Sequence, residues 1–83
     1  MNVVEIYSKD DCHLCDSALA VLKDAQKKSA FDLKVTKLRE GDGKFELYKE
    51  RFPVIFINDE FAFQYKVSEQ QLLSKLEQIA AEQ

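Results

Sequence analysis

The feature that most constrains the fold of this 83-residue chain is a strand, a helix and a second strand in direct succession in its first half. Apolar residues alternate over residues 3–7 and again over residues 31–36, which is the period of a half-buried strand. Between them, apolar residues recur three and four positions apart over residues 14–25, as on one face of a helix of about four turns. In such a βαβ unit the two strands run parallel and are joined right-handedly.

The second half of the chain begins with a short helix and a buried strand. Phe45, Tyr48 and Phe52 share one helical face. Pro53 is expected to end that helix, because the residue before a proline disfavours the α region. Residues 54–57 form an unbroken apolar run, which is typical of a strand covered on both faces.

A hairpin and a closing helix complete the prediction. The turn at residues 58–60 leads into an antiparallel partner strand with alternating aromatic residues. Core positions are expected for these aromatic residues, and the alternative is that they line a substrate groove: Phe61, Phe63 and Tyr65. Ser68 and Gln71 form a capping box before the last apolar stripe. The order β-α-β-α-β-β-α predicts an α/β fold, a mixed four-stranded sheet flanked by helices. The chain has room for one core, so we expect a single domain over residues 1–83.

Charge and hydropathy exclude two classes of partner. The net charge is −3 and the lysines and arginines are scattered among acids, so the basic stripe that nucleic acid requires is missing. No apolar run approaches the roughly 20 residues that span a bilayer. The first residues lead directly into a strand without a signal-peptide pattern. We therefore expect a cytoplasmic monomer, in a compartment where thiols stay reduced.

Two cysteines three residues apart, Cys12 and Cys15, stand where the first strand leads into the first helix. Residues three apart in a helix lie on the same side, so the two sulfur atoms can meet. Cys12 is predicted in the first turn, where unpaired N–H groups and the helix dipole favour the thiolate that attacks disulfides. Cys15, one turn further and more buried, would resolve the mixed disulfide. The motif predicts a thiol–disulfide oxidoreductase.

Other interpretations of the cysteine pair stay open. The two residues could be small buried apolar side chains, and the domain could be a redox-silent scaffold. They could also bind a metal, although a structural zinc site takes four ligands and only His13 stands beside them. A further alternative is a metal or iron–sulfur module in which a second subunit completes the centre.

Charged residues surround Cys12. His13, when protonated, would stabilise the Cys12 thiolate; the alternative is a solvated side chain in a first turn, where the helix dipole disfavours an imidazolium. Asp10 and Asp11 act against the thiolate. One of these two carboxylates is predicted to cap the helix.

Two segments of the sequence are similar to those of a known family. Residues 8–15, SKDDCHLC, together with residues 51–54, RFPV, resemble the glutaredoxin-like branch of the thioredoxin superfamily, in particular its small members with the motif D-C-H-L-C. The resemblance covers nearly the whole chain, including the order of its elements. It implies a thioredoxin-like fold and an enzyme that cycles Cys12 and Cys15 to reduce a protein or small-molecule disulfide.

The resemblance also implies roles for individual residues. Cys12 would be the nucleophile and Cys15 the resolving thiol. Pro53 would follow a cis peptide bond and face the cysteine pair, and the backbone of Phe52 would bind an extended thiol substrate. Lys9, three residues before Cys12, would contact the carboxylate of glutathione, whereas an exposed lysine of a turn is the alternative.

The sequence departs from the glutaredoxin pattern around the expected substrate site. His13 and Leu14 replace the usual proline or serine and the usual aromatic residue, and Phe52 replaces a smaller residue. Residues 64–68, QYKVS, stand where glutaredoxins have two glycines and an acid, and side chains there would crowd the approach of glutathione. We therefore expect no bound cofactor. The expected partners are a disulfide substrate and an electron donor, either a reductase or glutathione.

Overall fold

The computed structural model describes residues 2–81, and these residues contain four strands and three helices. In chain order they are β1 (Val3–Ser8), α1 (His13–Gln26), β2 (Asp32–Lys37), α2 (Gly43–Tyr48), β3 (Val54–Ile57), β4 (Glu60–Gln64) and α3 (Glu69–Ala81). The predicted order of elements is confirmed. Residues 1, 82 and 83, the ends of the predicted domain, lie outside the described residues. No helix within residues 2–81 is both long enough and apolar enough to cross a membrane.

The strands form one mixed sheet in the order β2-β1-β3-β4. β1 and β2 run parallel, with Val4 opposite Leu33, as the βαβ pattern predicts. β3 runs antiparallel to both of its neighbours, β1 and β4. The two inner strands, β1 and β3, are therefore paired on both sides and contribute buried side chains to the core on both faces of the sheet.

One face of the sheet is covered by α1 and α3, which pack against each other. Val4 and Ile6 of β1 and Ile55 and Ile57 of β3 point into this layer, because alternate residues of a strand face the same side. The helices contribute small and branched side chains to the same cluster: Ala18, Leu22 and Ala25 from α1, and Leu72 and Leu76 from α3. This is the larger of two apolar clusters.

The opposite face carries a smaller cluster beneath α2. Tyr7 and Val54 lie at its centre together with Cys15, Leu38 and Phe52. The rings of Tyr7 and Tyr48 stack with their centroids 5.7 Å apart. Both faces of the inner strands are thus covered, as the unbroken apolar run of residues 54–57 predicts.

The predicted extent of the second helix is wrong. α2 ends at Tyr48 and is followed by a turn that the Arg51 N–H closes by donating to the Tyr48 carbonyl at 2.7 Å. Phe52 lies after this turn. Pro53 therefore does not end the helix directly. The ring of Phe52 still packs against Phe45 of α2, with centroids 5.5 Å apart, so the shared apolar face exists without a continuous helix.

The alternation expected of the aromatic residues in β4 is also wrong. A bulge shifts the register, so that Ile55 pairs with Phe63 but Phe56 pairs with Phe61. Phe63 consequently packs on the α1 and α3 side. Phe61 lies edge-on to Phe56 instead and is exposed. A β-bulge adds one residue to one strand and so changes which side chains share a face.

A third difference concerns β2, whose residues were predicted to alternate between buried and exposed. Leu33 is half-buried, but Val35 is exposed, because β2 is an edge strand of the sheet. Phe31, the buried aromatic residue of this pattern, precedes the strand.

The capping box before α3 is confirmed. The Gln71 N–H donates to Ser68 Oγ at 3.1 Å, and the Ser68 N–H donates to Gln71 Oε1 at 3.2 Å. These reciprocal bonds satisfy two donors that the end of a helix otherwise leaves unpaired.

The two-cluster core predicts a sharp contrast between two leucine truncations. Leu22→Ala removes a fully buried side chain and should lower the free energy of unfolding by about 2–5 kcal/mol. Leu47→Ala truncates a side chain that is 63% exposed and should change it by no more than about 0.5 kcal/mol. Urea denaturation followed by circular dichroism measures both. Equal losses in the two variants would contradict the packing described here.

Candidate active site at the cysteine pair

The two cysteines lie at the junction between β1 and α1. β1 ends at Ser8 and α1 begins at His13, so a short connection carries the chain from the sheet to the helix. Asp11 in this connection has a φ of 56°, a left-handed conformation that aspartate tolerates better than most residues. The connection delivers Cys12 to the helix terminus.

Cys12, not Asp10 or Asp11, is the N-cap of α1. Its backbone is extended, and its Sγ accepts a hydrogen bond from the Cys15 N–H at 3.2 Å. The predicted aspartate cap is wrong because Asp11 takes the left-handed conformation and Asp10 forms an ion pair with Lys37 at 3.3 Å. Cys12 was predicted to lie in the first turn of α1. It lies one position before that turn.

Cys12 and Cys15 are joined by a disulfide, with their Cα atoms 5.2 Å apart. The two residues differ in exposure: Cys12 is half-buried, whereas Cys15 is only 2% exposed. Cys15 belongs to the cluster of Tyr7 and Val54 beneath α2. The pair thus has one partly exposed and one buried cysteine, and Cys15 is the more buried of the two, as its position one turn further into the helix predicted.

Phe52 and Pro53 lie beside the cysteines. The peptide bond between them is cis, as the resemblance implied, and both side chains are buried. Phe52 is in the same cluster as Cys15, and Cys12 packs against that cluster. Phe52 precedes the residues of β3 that pair with β1 and β4, so its N–H and C=O take no part in the strand pairing.

Lys9 is half-buried rather than free in a turn. Its Nζ lies 5.6 Å from the centroid of the Phe52 ring, a distance at which a cation is attracted to the face of an aromatic ring. Lys9 also lines the groove at Cys12. The structure therefore brings together Lys9, Phe52 and Cys12, the residues to which the resemblance assigned roles at one site.

A groove of about 390 Å³ opens at Cys12. Its walls combine apolar side chains with two cations and two acids, and the residues besides Cys12 are Lys9, Asp11, His13, Leu14, Lys49, Glu50, Phe52 and Tyr65. His13 is exposed at the rim. The opposite charges leave the groove without a dominant sign.

Leu14 was predicted to face the core, and this is wrong. The buried stripe of α1 runs through Cys15, Ala18, Leu22 and Ala25, so Leu14 points away from it. Leu14 is 40% exposed and lines the groove. Because Cys15 takes the inward direction in the first turn, its neighbour must turn outward.

Tyr65 was also predicted in the core and is instead exposed beside Cys12. It follows the last residue of β4, and its N–H donates to the Pro53 carbonyl at 3.0 Å. Nothing in the periodicity of residues 61–65 indicates this position. The sequence offered one signal of this position. Residues 64–68 lack the two glycines that, in glutaredoxins, allow glutathione to approach the backbone closely.

The described residues do not provide a metal site. Within residues 2–81, no three or more His, Cys, Asp or Glu side chains lie close enough together to hold a metal ion. The two cysteines are bonded to each other.

Comparison with known proteins places this site in a family context. The profile of the glutaredoxin-like domain (DUF836) matches residues 3–77. Among curated proteins, no significant match to the sequence is found.

Solved structures share the architecture over most of the chain. Protein Ne2328 from Nitrosomonas europaea is 29% identical over 89% of this chain and 89% of its own, with a TM-score of 0.74. Target protein XcR50 from X. campestris is 26% identical over 89% of this chain and 95% of its own, with a TM-score of 0.72.

A named glutaredoxin has the same fold at lower identity. Glutaredoxin 1 from Francisella tularensis, in complex with cacodylate, is 21% identical over 98% of this chain and 99% of its own, with a TM-score of 0.55. The predicted thioredoxin-like fold is confirmed.

The unequal burial of the two sulfur atoms predicts unequal reactivity in the reduced protein. Iodoacetamide should alkylate Cys12 at least about tenfold faster than Cys15, because the half-buried thiol at a helix terminus is more accessible than the buried one and the helix terminus favours its thiolate. Mass spectrometry of the digested protein measures the two rates. In denaturant the two rates should agree within about twofold, and equal rates in the folded protein would contradict the assignment.

Proposed function

Because this chain belongs to the glutaredoxin-like domain family, we propose that it is a thiol–disulfide oxidoreductase that cycles Cys12 and Cys15 between dithiol and disulfide. The observation that carries the proposal is the disulfide between a half-buried N-cap cysteine and a buried cysteine one turn later. A structural disulfide needs no such difference in exposure, whereas a nucleophile and a resolving thiol do.

The helix terminus supplies the activation of Cys12. An N-cap side chain accepts hydrogen bonds from the first N–H groups of its helix, and the positive end of the helix dipole favours a negative charge at the same place. The Cys15 N–H already points at Cys12 Sγ, 3.2 Å away. In the reduced protein this N–H and the dipole stabilise the Cys12 thiolate.

The reduction of a substrate disulfide then follows in two exchanges. The Cys12 thiolate attacks one substrate sulfur, which forms a mixed disulfide and expels the other substrate sulfur as a thiolate. Cys15 loses its proton and attacks the Cys12 sulfur, which releases the second substrate thiolate and closes the Cys12–Cys15 bond. Two electrons pass from the protein to the substrate, and the two protons of the protein dithiol end on the two product thiols.

The backbone beside the cysteines positions the substrate. An extended peptide next to Phe52 can bond to its N–H and C=O, because these groups stand outside the pairing of β3. Main-chain pairing of this kind holds a peptide without regard to its side chains. Phe52 and Pro53 thereby act as substrate-binding residues, and Lys9 and His13 border the same groove.

The oxidised protein must be returned to its dithiol form by a thiol donor. The donor is a reductase or glutathione, and no bound cofactor is needed, because both redox-active groups belong to the chain itself. Net reduction of substrate disulfides is favoured where a thiol pool keeps cysteines reduced, as in the cytoplasm, so we propose the cytoplasm as the location. We propose a monomer as the working unit, because both cysteines and the groove come from one chain.

Substitution of the two cysteines should separate their roles. Cys12→Ser should lower disulfide reductase turnover by roughly a hundredfold or more, because no nucleophile remains at the surface. Cys15→Ser should accumulate a covalent mixed disulfide with the substrate, because the resolving step is lost. Turnover with a peptide disulfide and intact-mass spectrometry measure the two effects. Wild-type turnover in both variants would refute the assignment.

The redox couple itself provides an independent test. Equilibration with thiol–disulfide buffers should reveal a reversible two-electron midpoint between roughly −180 and −270 mV, the range of disulfide isomerase, glutaredoxins and thioredoxin. Alkylation of the remaining thiols and mass spectrometry give the oxidised fraction. Cys12→Ser serves as the control, because it cannot form the internal disulfide. A chain that stays a dithiol in oxidising buffer would contradict the proposal.

A further inference from the structure

Tyr65 adopts a backbone conformation that its residue type disfavours. Four residues other than glycine have a positive φ within residues 2–81: Asp11, Asn58, Asp59 and Tyr65. Aspartate and asparagine tolerate the left-handed region, whereas for a bulky residue it is an outlier. Tyr65, with a φ of 66°, is therefore the one member of this set whose conformation is not explained by residue type.

Two hydrogen bonds hold Tyr65 in this conformation. The Lys66 N–H donates to the Gln64 carbonyl at 2.8 Å across Tyr65, which makes a three-residue γ-turn of the rare positive-φ kind. The Tyr65 N–H donates to the Pro53 carbonyl at 3.0 Å. The turn is thus tied to the backbone beside Phe52, and the strain lies next to the reactive cysteine. Strained residues that persist in this way cluster at functional sites.

The turn places Tyr65 at the boundary of two depressions. One is the groove at Cys12; the other, of about 280 Å³, lies between α1 and the segment that follows β4. His13, Leu14 and Tyr65 line both, so the two depressions adjoin at these residues. The remaining walls of the second depression are mainly apolar: Ala18, Val21 and Val67, with Ser17 and Lys66 at its polar edge.

Tyr65 and Leu14 are exposed apolar side chains of the groove at Cys12. Tyr65 is 44% exposed and Leu14 is 40% exposed. Leu14 stands two positions from Cys12, and one extended residue spans about 3.5 Å. A side chain directly next to a substrate cysteine bonded to Cys12 therefore falls within reach of both.

We propose that Tyr65 is a specificity-determining residue and that the site prefers polypeptide disulfides with a large apolar residue adjacent to the cysteine. The inference rests on the proposed oxidoreductase function and names its substrate class. The neighbouring apolar side chain lies in the second depression between Tyr65 and Leu14, while the disulfide meets Cys12. Tyr65 takes no part in the exchange itself.

The physical basis of the preference is removal of apolar surface from water. A leucine side chain that enters an open depression loses only part of its exposed surface, so the gain is a fraction of that for full burial. This partial burial corresponds to a second-order rate constant for reduction that is roughly fivefold higher when leucine, rather than serine, flanks the substrate cysteine. Truncation of Tyr65 removes one wall, and the preference should fall with it.

The test compares two symmetric peptide disulfides that differ only in whether leucine or serine flanks the cysteine on both sides. Dithiothreitol reduction of the same two peptides supplies the reference, since it corrects for their intrinsic reactivity. After this correction, reduced wild-type protein should favour the leucine peptide roughly fivefold, and Tyr65→Phe should keep that ratio. Tyr65→Ala should bring the ratio below about twofold.

Phe61→Ala is the matched control. Phe61 is an exposed aromatic residue of β4 outside both depressions, so this variant should keep the wild-type ratio and rate. A wild-type ratio near one, or an unchanged ratio in Tyr65→Ala, would overturn the role of Tyr65 while reduction itself continued. Reduction of neither peptide by the wild type would overturn the oxidoreductase function, and the inference with it.

A second measurement does not depend on the folding of Tyr65→Ala. The Cys15→Ser variant traps the leucine peptide as a mixed disulfide on Cys12. Nuclear Overhauser effects from the leucine methyl groups should reach the ring of Tyr65 and the methyl groups of Leu14 and Val21. Contacts confined to the Lys49 and Glu50 side of the groove would overturn the proposal.

Discussion

The register between β1 and β3 is the constraint on which the site depends. Tyr7 pairs with Val54, and Val54 in turn pairs with Gln64. The end of β1, the start of β3 and the end of β4 therefore lie side by side at the same end of the sheet. The residues just beyond these three positions are the connection to Cys12, the Phe52–Pro53 pair and Tyr65. A slip of one residue would turn every side chain of β3 to the other face and would separate these segments.

The same register determines the unequal environments of the two cysteines. Cys15 enters the cluster of Tyr7, Val54 and Phe52, which exists because β3 presents one set of side chains to each face. Cys12 remains at the terminus of α1, where it takes the place of the usual polar cap. The sulfur that caps the helix is consequently that of the less buried cysteine, and a helix N-terminus favours a negative charge at this position.

Tyr65 shows how a locally unfavourable conformation can be retained by its surroundings. β4 is bulged and exposes Phe61, yet its last residue, Gln64, is anchored opposite Val54. The bond from the Tyr65 N–H to the Pro53 carbonyl extends that anchor past the strand. The pairing of β3 and β4 therefore holds Tyr65 in its strained, positive-φ conformation. As a result, an aromatic side chain lies beside Cys12.

The sequence by itself determined the order of the elements, the parallel βαβ unit, the capping box at Ser68 and the cysteine pair, because each depends on local spacing or on neighbours in the chain. The cis bond before Pro53 was expected from resemblance alone. Tertiary structure decided that Cys12 itself caps α1, that Leu14 faces outward, and that Tyr65 lies at the groove instead of in the core. These depend on a bulge, a left-handed Asp11 and pairing between strands distant in sequence. Periodicity carries no information about such contacts, because it describes one element at a time.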